Sequence, residues 1–113
     1  MGENIIGLAV GGNKVVDVQD AIERTEKAGV QAAWMTTGGA RLDSITTFAA
    51  AAGRSQTIKF GTSVVPTYPR HPLVMVQQAQ VVGQLAPGRF RLGIGPSHRP
   101  TMRAMGIQMP NPL

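Results

Sequence analysis

The stretch IKFGTSVVPTYPRHPLVMVQQAQVVGQLAPGRFRLGIG, residues 58–95, decides the fold. It opens with a β-branched, largely apolar run at 58–65 that Pro66 is expected to end, which reads as a strand. The connection PTYPRHP is stiffened by three prolines, and Pro72 suits the first turn of a helix carrying Leu73, Val74, Gln77, Val81 and Leu85. Pro87 and Gly88 close that helix, and residues 90–95 read as the next strand. A strand, a helix and a second strand joined this way make a βαβ unit, so the two strands are parallel and the crossover right-handed.

The same unit recurs toward the amino terminus. Residues 4–10 are an apolar run ending in Gly11, Gly12 and Asn13, and residues 30–35 form another, followed by Thr36, Thr37, Gly38 and Gly39. Between them Val18, Ala21, Ile22, Thr25 and Ala28 recur at helical spacing, with Asp17 as the expected N-cap and Gly29 as the stop. Asp43 is placed to cap a second helix containing Ile45, Phe48, Ala49 and Ala52. Strands beginning near 4, 30, 58 and 90 thus alternate with helices. The apolar runs are continuous, which predicts a sheet covered on both faces, in either a doubly wound sheet or an eight-stranded barrel. Beyond Gly95, residues 101–105 suit one helical turn.

Composition narrows the function classes. With 113 residues the chain supports one domain, and 42% apolar residues fit a globular protein. There is no cysteine, which removes disulfides, thiolate metal sites and cysteine nucleophiles. No apolar run is long enough to span a membrane, and the start MGENIIGLAVGG is unlike a signal peptide, so the cytoplasm is the expected compartment. The net charge of +5 is uneven: every acid lies at or before Asp43, while Arg54, Lys59, Arg70, Arg89, Arg91, Arg99 and Arg103 follow. Such a half would steer an anionic ligand or await acidic partners. Nucleic acid ranks last, because the cations are scattered and only five aromatics are present to stack bases.

In either parallel architecture ligands gather at the carboxyl ends of the strands. The four segments there are 11–13, 36–41, 63–72 and 95–100, all small, polar or cationic. GIG at 93–95 begins like a dinucleotide fingerprint and fails, because Pro96 removes an amide, His98 stands where the last glycine belongs and no acid follows. Signatures for nucleotide hydrolysis, serine hydrolysis and zinc proteolysis are missing. His71, directly before Pro72, is expected to serve the start of its helix, whereas His98 is the candidate catalytic or substrate-contacting side chain. Without paired carboxylates or a metal cluster, any reaction would rest on a bound cofactor.

The strings GTSVVPTYPRHP at 61–72 and RFRLGIGPSHRP at 89–100, with EKAGVQAAW at 26–34, resemble the luciferase-like monooxygenase superfamily, and most closely its branch dependent on coenzyme F-420 (8-hydroxy-5-deazaflavin). The resemblance spans nearly the whole chain. It implies a parallel α/β half-barrel, the first four βα units of a TIM (β/α)8 barrel, so that residues 1–113 would be a single truncated barrel domain. It implies hydride transfer between coenzyme F-420, or alternatively FMN, and a small organic substrate. It also implies a bulge with a non-proline cis peptide at Ser63 and Val64, with Thr62 adjoining, and a ring pocket lined by Gly11, Thr36, Gly95, Ser97 and His98. Arg41 is expected at the solvated surface. A half-barrel would expose an apolar concave face and self-associate through it. The alternative function is a catalytically inactive βα module that binds a flavin-like ligand or a partner chain.

Overall fold

The computed structural model describes residues 5–110. Strands β1 (Gly7–Ala9), β2 (Ala32–Met35), β3 (Lys59–Thr62) and β5 (Phe90–Arg91) form a sheet in that order, and every pairing is parallel. A second parallel pair joins β4 (Val65–Pro66) to β6 (Ile94–Gly95). Helices α1 (Val15–Lys27), α2 (Ser44–Ala52) and α3 (Pro72–Leu85) fill the crossovers, and α4 (Arg99–Ala104) follows β6. Of the first expected strand, Asn4 lies outside the described residues.

Local chemistry explains most helix ends. The Asp43 carboxylate accepts from the Thr46 amide at 2.8 Å and caps α2 as expected. His71 Nδ1 accepts from the Leu73 amide at 3.0 Å at the start of α3, where Pro72 supplies no donor. The first helix departs from expectation: it starts at Val15 after an extended Lys14 that makes no side-chain cap. Asp17 therefore sits inside the first turn, favoured by the positive helix end, and does not cap. Gly29, at φ +82, turns the chain back toward β2.

One core joins all three long helices to one face of the sheet. Val18 and Ile22 of α1, Ile45, Phe48 and Ala51 of α2, and Met75 and Val82 of α3 pack with Ala33, Met35, Phe60 and Val65. Phe48 is central, its ring 5.0 Å from Phe60 and 6.4 Å from Phe90. Helices confined to one face settle the choice in favour of barrel winding and against a doubly wound sheet. The opposite face, bearing Gly7, Trp34, Lys59, Gly61 and Arg91, is open among the described residues.

The third and fourth strands are also not the continuous runs expected. Each breaks and resumes, because the Thr62 hydroxyl reaches between strands, donating to the Gly93 carbonyl and accepting from the Gly93 amide, both at 2.7 Å. A side chain there replaces a rung of the ladder. A Cβ on Gly93 would collide with the Thr62 carbonyl, so the insertion requires glycine. The ladder resumes as Val65 donates to Gly93 and Thr67 to Gly95, each at 2.9 Å. Pro66 lies between these donors and needs no amide, so it sits inside β4 and does not end the strand.

Candidate functional site

The carboxyl ends of the strands bring the predicted site residues to one edge. The Thr36 hydroxyl, just past β2, donates to the Ser63 carbonyl at 2.8 Å and lies 3.4 Å from the Ser63 hydroxyl. Backbone bonds fasten the same corner: Ser63 donates to Met35 at 2.9 Å, and Thr37 to Val64 at 3.2 Å. The peptide between Ser63 and Val64 is cis, as the resemblance implied. Val64 is 36% exposed there, and a Cβ on Gly95 would come 3.0 Å from Val64 Cγ2. Gly95 thus leaves room for an apolar surface at the edge.

The remaining predicted residues divide in two. Gly11 is exposed, with nothing within 4 Å of the position a Cβ would take. Ser97 has φ 64, an uncommon conformation for a residue with a side chain, and turns the chain from β6 into α4. His98 is the exposed N-cap residue of α4, its side chain making no capping bond. Thr62 is different: it is 1% exposed and its hydroxyl is engaged at Gly93, so it holds the bulge in place from beneath the open edge. Arg41 is exposed, as expected, and shares a shallow hollow with Thr36, Gly38, Gly39 and Thr101.

Behind this corner runs a polar brace. The Thr37 hydroxyl lies 2.7 Å from that of Ser44 and accepts from the Ser44 amide at 2.9 Å. Asp43, beside it, pairs with Arg70 at 2.9 Å. Burial raises the Asp43 carboxyl, but the Thr46 hydroxyl and amide and the Arg70 guanidinium more than offset it, so its pKa is lowered. The loop after β2 and the loop after β4 are thereby tied together by charge. Arg54 is likewise paired, with Asp20 and Glu23 at 2.8 Å each. Part of the basic half is therefore neutralised by acids of the first half.

Sequence reasoning missed Trp34. Its indole lies across the open face over Gly7 and Gly61 of the flanking strands, and a Cβ on either would collide with it. The signal was a glycine in each neighbouring strand, legible only once the register is known. A hollow of about 300 Å³ adjoins the indole, lined by Ile5, Lys59, Gly61, Arg89 and Arg91 among others. It lies toward the amino ends of the strands, away from the edge just described, and its lining carries no acid and no hydroxyl. No group of His, Asp or Glu side chains suited to a metal occurs among the described residues.

A parallel (β/α) half-barrel here gathers hydroxyls, glycines and one exposed valine at the carboxyl edge of its strands. The chain belongs to the luciferase-like monooxygenase family, whose family model matches residues 5–113. It is 35% identical over 79 residues to an F420-dependent glucose-6-phosphate dehydrogenase of Beutenbergia cavernae, covering 69% of this chain and 24% of that one. It superposes with TM-score 0.77 and 26% identity on the coenzyme F420-dependent tetrahydromethanopterin reductase of Methanopyrus kandleri, covering 89% of this chain and 29% of that one. The oxygenating constituent of 3,6-diketocamphane monooxygenase from Pseudomonas putida, solved with FMN, shares the fold at TM-score 0.75 and 20% identity, covering 89% and 32%. The chain thus spans about a quarter to a third of the length of these relatives.

Proposed function

We propose that the carboxyl edge of this sheet is the ring-binding part of a flavin- or deazaflavin-dependent oxidoreductase that moves a hydride between its cofactor and a small organic substrate. The carrying observation is the corner where Thr36 holds Ser63 and leaves Val64 exposed beside Gly95. Its groups fit a planar, largely uncharged ring. Val64 offers an apolar surface, Gly95 leaves space beside it, and the hydroxyls of Thr36 and Ser63 lie at the same corner. Coenzyme F-420 is the cofactor we assign, supported by the names of the dehydrogenase and reductase relatives, with FMN as the alternative.

When bound, such a ring supplies a carbon or nitrogen that accepts or gives the hydride. This chain's own residues position and shield it. Thr36 fixes the Ser63 carbonyl so that the corner does not open, and Val64 excludes water from the surface beneath the ring. His98 carries an exposed imidazole at this edge with no capping bond, and we assign it the substrate contact. No helix among the described residues is long and apolar enough to cross a membrane. The cytoplasmic compartment, a single domain across 1–113 and self-association belong to the same proposal. Titrating the chain with oxidised and reduced coenzyme F-420 and with FMN, by absorbance and fluorescence, tests it: saturable binding of one cofactor supports the reading, and none contradicts it. Binding without turnover would favour the inactive-module alternative.

A further inference from the structure

Arg70 closes a circuit of bonds behind the exposed corner. It stands in the loop between β4 and α3 with its side chain 17% exposed, and its guanidinium spans two elements. One nitrogen pairs with the Asp43 carboxylate at 2.9 Å, and another donates to Gln78 Oε1 of α3 at 2.8 Å. From Asp43 the circuit passes to the next residue, Ser44, whose amide donates to the Thr37 hydroxyl at 2.9 Å. The Thr37 amide in turn donates to the Val64 carbonyl at 3.2 Å. The backbone completes the circuit from Val64 through β4 to Thr67, whose amide donates to the Gly95 carbonyl at 2.9 Å and whose carbonyl accepts from the Arg70 amide at 3.3 Å.

Neither partner of the ion pair is needed to start its own helix. Asp43 caps α2 through Thr46, and α3 is begun by His71 and Pro72. What the pair adds is the link between the loop after β2 and the loop after β4. A guanidinium suits it, because a planar fork holds two acceptors in fixed directions. Without that fork the half-buried carboxylate has to turn to water, and the loop that carries it loses its anchor. We propose that Arg70 is a positioning residue: acting through Asp43 and Thr37, it fixes where Val64 stands at the corner. A surface held in one arrangement beforehand costs less ordering when a ligand docks, so breaking the link weakens ring binding without deleting a contact. That last step rests on the ring-binding reading, whereas the placement of Val64 does not.

Three variants separate the link from general destabilisation. Arg70→Met removes the fork, and Asp43→Asn keeps an acceptor for Thr46 while removing the charge. Arg54→Met, the control, breaks the two ion pairs to Asp20 and Glu23 at the other end of α2. Amide hydrogen exchange at Thr37 is measured by NMR relative to the Phe60 amide in the sheet, which reports global opening. Coenzyme F-420 and FMN are titrated into the same chains. The expected result is exchange at Thr37 faster by at least about tenfold in Arg70→Met and Asp43→Asn, and no faster in the double variant, since both break one link. Affinity for the cofactor that wild type binds should fall at least about tenfold in those chains, and both readouts should stay at wild-type values in Arg54→Met. Should Arg70→Met not fold, Asp43→Asn carries the same test. Unchanged Thr37 exchange, equal acceleration in Arg54→Met, or undiminished cofactor affinity would overturn the proposal. Faster exchange at Thr37 with no cofactor bound by any chain would uphold the placement of Val64 and contradict the ring-binding reading instead.

Discussion

Glu26 shows how a single carboxylate can organise a turn. One of its oxygens accepts from the amides of Gln56, Thr57 and Ile58 at 2.8–2.9 Å, tying the end of α1 to the entry of β3. Burial raises its pKa, but the Thr57, Gln56 and Ile58 amides together outweigh that, and the net shift is downward. A carboxylate with a depressed folded pKa contributes stability that is full above its unfolded value, about 4.3, and is lost as pH falls through the folded one. Glu26→Gln is therefore expected to destabilise the fold by about 1–2 kcal/mol at neutral pH. In acid the difference from wild type should shrink, as denaturant melts across that pH range will show. His98→Ala touches no internal bond, so its stability should stay within about 0.5 kcal/mol of wild type. A change in ligand affinity in that variant would then report a lost contact.

Among the elements, the helices were the most legible in sequence, because Asp43 and His71 act on amides three and two positions away and Pro72 suits a first turn. Asp17 misled because α1 starts without any capping side chain, leaving no signal at Lys14. The breaks in the third and fourth strands were illegible for another reason: a β-branched run looks continuous, and the interruption depends on Thr62 reaching Gly93 across 31 residues of chain. Removing that hydroxyl leaves the Gly93 amide without its partner, while the Gly93 carbonyl keeps the Val65 amide. Thr62→Val is expected to cost about 1–3 kcal/mol. Gly93→Ala should cost as much or more, because its Cβ meets backbone. Chemical denaturation of both variants, with Trp34 emission followed, tests whether the bulge is held as described.

At the scale of the whole molecule, the parallel topology and the edge that carries the loops could be read from the order of strands and helices. The composition of the open face could not. It was expected to be apolar, whereas register places Lys59 and Arg91 beside Trp34, a juxtaposition that no single segment reveals. The candidate site stands between these cases. Its residues lie in four separate loops that the topology alone brings together, yet the burial of Thr62 beneath the edge emerges only from packing. The central claim is that this edge receives a planar cofactor ring. Gly11 offers a direct test, since it lies past the carboxyl end of β1 at this edge and nothing lies within 4 Å of the position a Cβ would take. Coenzyme F-420 and FMN are titrated into the wild-type chain and Gly11→Leu, with Glu26→Gln at the opposite edge as the control. The account predicts saturable binding of one cofactor to wild type and control, weakened at least about tenfold, or about 1.4 kcal/mol, in Gly11→Leu. Equal affinity in all three chains, or no binding by any, would contradict it.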